Sequence, residues 1–165
     1  MLASCLMKRR LAAVAAAITL SLAGFATVSL SHPGVAHATS TPKRVTAFSF
    51  AKSQAGKPYC YGGEGSKTRS ASCYDCSGLV YTAYLHAGIS LPRTADAQRN
   101  SAKTYRISKA SAQDGDLVFW GYGHVEMVDR VGSTVYRYGA HHSGTKLSRE
   151  KLYGSPVFYH VKTAG

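Results

Sequence analysis

The sequence predicts an α+β domain, with N-terminal helices packed on an antiparallel sheet. Between residues 45 and 100, apolar side chains recur at helical spacing. Beyond Ser111 they recur every second residue, and glycine-containing turns separate the runs. The chain has 165 residues, with no internal repeat and no linker after residue 44, which suits one compact unit.

Val45, Ala47, Phe48, Ala51 and Ala55 predict a first helix over residues 45–55, ended by Gly56-Lys57-Pro58. Tyr59 to Gly63 reads as an extended stretch that then turns, and residues 64–72 as a polar loop. A second helix runs from Cys76 to near Gly88. Leu79, Val80, Ala83, Tyr84 and Ala87 fall on one of its faces, and Asp75 stands where a capping side chain belongs. Residues 89–92 connect to a short helix that Thr94 caps and that runs through Asn100. Four strands follow, over residues 117–120, 124–131, 134–140 and 157–161. Gly132-Ser133 makes the hairpin turn between the second and third.

The N-terminus reads as an export signal over residues 1–38. Lys8, Arg9 and Arg10 precede an uncharged run rich in alanine, leucine and valine, and Ala36-His37-Ala38 has the small-x-small form of a cleavage site. A retained anchor is the competing reading, disfavoured by the alanine content and that site. Leu2-Ala3-Ser4-Cys5 resembles a lipidation box but precedes the apolar run, and Met7 is a second candidate start. Cleavage leaves a polar leader at 39–44 and a domain at 45–165, secreted or wall-associated, with no stable membrane insertion. Loss of the three basic residues takes the formal charge from +12 to +9. That balance suits anionic wall polymers or acidic lipids. No zinc finger, glycine-lysine loop or regular arginine array supports a nucleic-acid partner.

Cys60, Cys73 and Cys76 remain after cleavage, an odd number for an exported chain. A Cys60–Cys73 bond would leave Cys76 free, and is the favoured arrangement. A Cys73–Cys76 bond would silence the thiol or place it under redox control. A lone C-x-x-C lacks the further ligands of a structural zinc site, so no metal or cofactor is expected.

Cys76 opens an apolar helix, where unpaired amides and the macrodipole favour a thiolate. A thiolate nucleophile needs a base beside it and a group that orients the base. His86 lies ten residues along the same helix and cannot reach Cys76. His160 reads as a strand surface residue. His124 begins a strand directly after Gly121-Tyr122-Gly123. With the hairpin centred between Gly132 and Ser133, antiparallel pairing sets His141 opposite His124, so that the two rings touch and His141 fixes the tautomer. An exposed histidine pair is the competing interpretation.

These pieces together resemble the NlpC/P60 cysteine peptidases. The resemblance rests on Gly56-Lys57-Pro58-Tyr59, Tyr61-Gly62-Gly63, Asp75-Cys76-Ser77-Gly78-Leu79-Val80, Gly88 to Thr94, Asp114 to Phe119 and His124-Val125, in that order. It implies a papain-like core, no cofactor, and cleavage of amide bonds in peptidoglycan stem peptides or muropeptides. It makes Cys76 the nucleophile, His124 the base and Tyr59 a contributor to the oxyanion site. The family's third polar residue usually stands about a dozen positions after the base, where this chain has Tyr136. Tyr136 itself would orient the base more weakly; His141, which the hairpin favours, or His142 is the expected substitute, and Glu126 an alternative only if the loop bends. Cys60 and Cys73 are unusual for the family and fit an added disulfide. Arg93 is a candidate contact for substrate carboxylates, and Trp120 and Tyr122 are candidate cleft walls. A monomer is expected, with an inhibitor or regulatory protein as a conceivable partner. Three other functions fit parts of the pattern: a non-catalytic wall-binding relative, a thiol acyltransferase or toxin, and a redox protein using Cys73 and Cys76.

Overall fold

The computed structural model describes residues 41–63 and 71–162. The export signal expected over 1–38, the start of the leader and most of the polar loop expected over 64–72 lie outside the described residues. None of the helices among the described residues is long and apolar enough to cross a membrane.

Helix α1 spans Lys43–Ser53 and buries Ala47, Phe48 and Ala51. It packs against α2, Cys76–His86. The apolar stripe expected on α2 is present, but burial extends well around the helix to Cys76, Ser77, Gly78 and Thr82. This helix is therefore the centre of the helical layer and not a surface helix with one wet face. Leu79 and Val80 are fully buried, each contributing about 1.5–3 kcal/mol by removal from water. The Tyr84 hydroxyl donates to the Gly115 carbonyl at 2.7 Å, fastening the far end of α2 to the turn before the sheet. Gly88 at φ +79° ends the helix, as a left-handed residue does after a last turn. Helix α3, Ala95–Arg99, begins where Thr94 accepts from the Ala97 amide.

Among the described residues, six strands form one antiparallel sheet in the order β1-β6-β2-β3-β4-β5. They are β1 Thr104–Ile107, β2 Leu117–Trp120, β3 His124–Val131, β4 Thr134–Gly139, β5 Ser148–Lys151 and β6 Val157–Val161. The four expected strands are all present, with β4 one residue shorter. The additions, β1 and β5, are the two edges of the sheet. Strand β3 lies between β2 and β4 and is buried from Val125 to Asp129, on both of its faces. Phe119, Val125 and Met127 join Leu79, Val80 and Tyr84 in the larger core cluster. Val118, Val128, Val135 and Phe158 form a smaller cluster, with Trp120 packed against it.

Cys60 and Cys73 form a disulfide with a Cα–Cα distance of 5.7 Å, and Cys76 is a free thiol. The bond joins the chain just after Tyr59 to the chain just before Asp75. Its removal by Cys60→Ser with Cys73→Ser is expected to cost about 2–3 kcal/mol for so short a loop. The urea midpoint of the double variant against wild type checks this. Equal midpoints would mean that neighbouring contacts hold the two segments without the crosslink.

Candidate active site

Cys76 is the first residue of α2 and is 8% exposed. The helix start is held from several sides. Asp75 Oδ1 accepts the Gly78 amide at 2.6 Å, which satisfies an orphan donor of the first turn. Arg93 grips the same carboxylate with both terminal nitrogens, at 2.7 and 3.0 Å. It also reaches the Ser77 hydroxyl at 3.1 Å and the Gly63 carbonyl at 2.8 Å. Gly78 is required here because a Cβ on it would stand 2.4 Å from the Gly63 oxygen.

The first residue of β3 meets this helix start: His124 hydrogen-bonds the Cys76 side chain. Its Nε2 lies 2.7 Å from Glu126 Oε1. Residues i and i+2 of a strand share a face, so the carboxylate is aligned with the ring by the pleat itself. Arg137 Nη1 donates to the same oxygen at 2.7 Å, and His141 Nδ1 lies 3.0 Å from it. Burial favours the neutral carboxyl, but hydrogen bonds from the two histidines and the charges of His141 and Arg137 outweigh it. Glu126 is held down to about 2. A carboxylate only accepts, so His124 carries its proton on Nε2 and His141 carries one on Nδ1. Nδ1 of His124 is then the nitrogen left for the sulfur. Burial also works against charge on His124, but the hydrogen bonds and negative charges of Cys76 and Glu126 prevail. They raise His124 to about 9.

Tyr59 lines the same cavity as Cys76. Its phenol is raised above its ordinary value by burial first, then by the negative charges of Cys76 and Asp75. It therefore stays protonated and able to donate. A cavity of about 450 Å³ opens over the thiol, lined by Tyr59, Tyr61, Cys76, Arg93, Asp96 and Tyr122 among others.

The NlpC/P60 family model matches residues 56–162. The chain belongs to the NlpC/P60 family. It is 48% identical over 73 residues to a probable endopeptidase p60 of Listeria monocytogenes, covering 44% of this chain and 14% of that protein. It is 39% identical over 80 residues to the murein DD-endopeptidase MepH of Escherichia coli, covering 48% of this chain and 28% of that one. The chain thus spans less than a third of the length of either relative. Among solved structures, the peptidoglycan hydrolase RipB of Mycobacterium tuberculosis superposes with a TM-score of 0.59 at 25% identity, covering 73% of this chain and 65% of that chain. The α+β architecture expected from the sequence is the NlpC/P60 fold.

Within this NlpC/P60 domain the other predicted residues divide. Tyr122 is 60% exposed and lines the cavity, with Arg99 stacked 4.4 Å from its ring centroid. Arg93, the expected contact for substrate carboxylates, lines it too, and its guanidinium also holds Asp75, Ser77 and Gly63. Trp120 is not among the lining residues. It stacks on Tyr153 at 4.8 Å, donates to the Tyr153 carbonyl, and lies 5.6 Å from the His124 ring. Where a place in the cleft wall was expected, it makes a packing contact beside His124. It pairs with His124 across β2 and β3, and so shares that ring's face of the sheet.

The hairpin register is the expected one, with Val131 opposite Thr134 and Met127 opposite Tyr138. Pairing stops before His141, however, and the expected contact of the two rings is replaced by Glu126 between them. No bend of the loop is needed for this, because the carboxylate reaches His124 along its own strand. His142 is exposed and bonds the Ser143 carbonyl. Tyr136 pairs with Asp129 and lies under Arg149. Neither touches His124. Glu126, the alternative that seemed to need a bent loop, is the bridge, and the overlooked residue is Arg137 behind it. The sequence held one usable sign: the hairpin register that sets His124 against His141 also sets Glu126 against Gly139, the one residue type that leaves room for it. A Cβ on Gly139 would lie 2.9 Å from Glu126 Cγ.

These shifts fix the pH dependence of stability. His124 rises from 6.5 to about 9 on folding. Its contribution is therefore full below 6.5 and is lost as pH rises through 9. Glu126 falls from 4.5 to about 2, so its contribution is full above 4.5 and is lost as pH falls toward 2. Urea midpoints measured from pH 3 to 10 are expected to be highest between these limits. Glu126→Gln should flatten the acid side, and an acid limb of unchanged steepness in that variant would contradict the assignment.

Proposed function

We propose that this chain is a secreted cysteine peptidase that hydrolyses amide bonds in peptidoglycan stem peptides. The observation that carries the proposal is a free thiol at a helix start, hydrogen-bonded to a histidine and opening into a cavity. The peptidoglycan or murein named for RipB and MepH supports the substrate class. The basic N-terminal signal pattern and the Cys60–Cys73 bond fit an exported, oxidising setting. The charge of +9 left after cleavage suits docking on an anionic wall.

In this mechanism the Cys76 thiolate attacks the scissile carbonyl and forms a carbon–sulfur bond. Backbone amides at the start of α2 and the Tyr59 hydroxyl hold the oxyanion. Imidazolium His124 gives its Nδ1 proton to the leaving amine, and the carbon–nitrogen bond breaks. The neutral ring then takes a proton from water, whose oxygen attacks the thioester and releases Cys76. Arg93 acts by fixing Asp75 and with it the helix start. Tyr122 forms part of the substrate wall. His141 acts behind the base and not upon it.

The test is incubation of the protein lacking residues 1–38 with purified muropeptides of differing stem chemistry, followed by product masses. New masses that differ by one amide hydrolysis are expected, and they name the bond cut. Binding of muropeptides without new masses, in reducing and non-reducing buffer alike, would overturn the enzyme reading in favour of a wall-binding module.

A further inference from the structure

We infer that Glu126 is the positioning residue of the base, supplied from the base's own strand in place of a group from the strand beyond the hairpin. The inference rests on the peptidase reading and deepens it.

Elimination among the neighbours is the first ground. His141 has both ring nitrogens committed, Nδ1 to Glu126 and Nε2 to the Ser148 hydroxyl at 3.1 Å with Glu150 at 3.4 Å. No nitrogen of that ring is left for His124. Tyr136 and His142 are engaged elsewhere, as described above. Glu126 alone among these meets Nε2, at 2.7 Å.

The second ground is that donors converge on Oε1 of this carboxylate, while its Oε2 is buried with no hydrogen-bond partner among the described residues. Glu126 is 1% exposed, and a bare charge there would be strongly disfavoured. Arg137 and His141 compensate it at its Oε1, and Arg137 is itself held by Glu150. Gly139 supplies the volume, since any side chain there would collide with the Glu126 stem. The titratable groups around the pair are Cys76 from α2, Tyr59 from the segment before the disulfide, Arg137 from β4, His141 after β4 and Glu150 from β5. Of these, the ones in contact with Glu126 besides the base are donors that keep it anionic. An anionic partner holds the Nε2 proton and favours the imidazolium more than a neutral amide would.

The near-isosteric Glu126→Gln tests this. In the intact protein kcat is expected to fall ~10–100-fold with KM changed less than ~2-fold, the usual effect of losing an outer partner of a histidine. The alkaline limb of activity and the NMR titration of the His124 ring should both move down by about one pH unit or more from near 9. Iodoacetamide alkylation of Cys76 followed against pH should shift with them. NMR and alkylation need no substrate, so they read out even if the protein cleaves no muropeptide, and the two hypotheses fail separately. An unmoved His124 titration and alkylation profile in Glu126→Gln would overturn the inference. Should that variant not fold, the wild-type ¹⁵N signal decides. Nε2 of His124 protonated from pH 5 to 10 supports the inference, and Nε2 unprotonated once the ring is neutral refutes it.

Discussion

Replacing Cys76 by serine is expected to lower kcat/KM on a muropeptide by ~10⁴-fold, about 5.5 kcal/mol of transition-state stabilisation. A hydroxyl does not ionise in the range where His124 titrates, so its attack must be coupled to proton removal. Serine fits the space, because the site is made by backbone amides, the Asp75 cap and the Arg93 clamp, none of which depends on sulfur. KM and thermal midpoint should therefore stay close to wild type. His124 should lose the part of its raised titration that comes from Cys76 while keeping the part due to Glu126. Steady-state rates on a defined muropeptide, with a thermal melt beside them, check both halves. Activity within tenfold of wild type would mean that the thiol is not the attacking group.

Gly78→Ala is the second large effect, and two forces oppose each other in it. Alanine is the better helix former by about 1 kcal/mol. Against that, its Cβ would stand 2.4 Å from the Gly63 oxygen, 2.9 Å from Asp75 Oδ1 and 3.1 Å from Arg93 Nη2. All three partners are tied to one another by the clamp, so none can yield alone. Overpacking typically costs about 1–3 kcal/mol and falls at the upper end where the neighbours are fixed, so sterics win. The urea midpoint should fall, and kcat should fall with it because Cys76 is displaced along with the first turn. A variant at least as stable as wild type would show that the helix start has slack.

The elements that carry the site were legible in the sequence for a physical reason. Cys76, the Asp75 cap and the stripe from Leu79 to Tyr84 belong to a buried helix, where apolar spacing is strict. Strand β3 belongs to the middle of the sheet, where alternation is strict as well. The edges were not legible. Strand β5 reads Ser-Arg-Glu-Lys and is largely exposed, and β1 buries Thr104 while exposing Tyr105 and Arg106. Edge strands carry polar and charged side chains and satisfy only one row of backbone partners, so no apolar period marks them. Glu126 was weighed and set aside for a different reason. Pairing logic looks across a hairpin for a partner, whereas here the partner is two residues along the same strand. The Asp75 partner of Arg93 was not legible either, because a cation beside a cleft suggests ligand contact and only the fold brings the two side chains together.

Strand β3 has neighbours along both edges, and it carries the imidazole together with the carboxylate that orients it. Their spacing is set by backbone pleating, so insertions in distant loops or breathing at the sheet margins leave it untouched. The sulfur arrives from a different layer. The distance between sulfur and ring therefore depends on how the helical layer seats on the sheet, which the shared apolar core and the Tyr84 hydroxyl on the Gly115 carbonyl both fix.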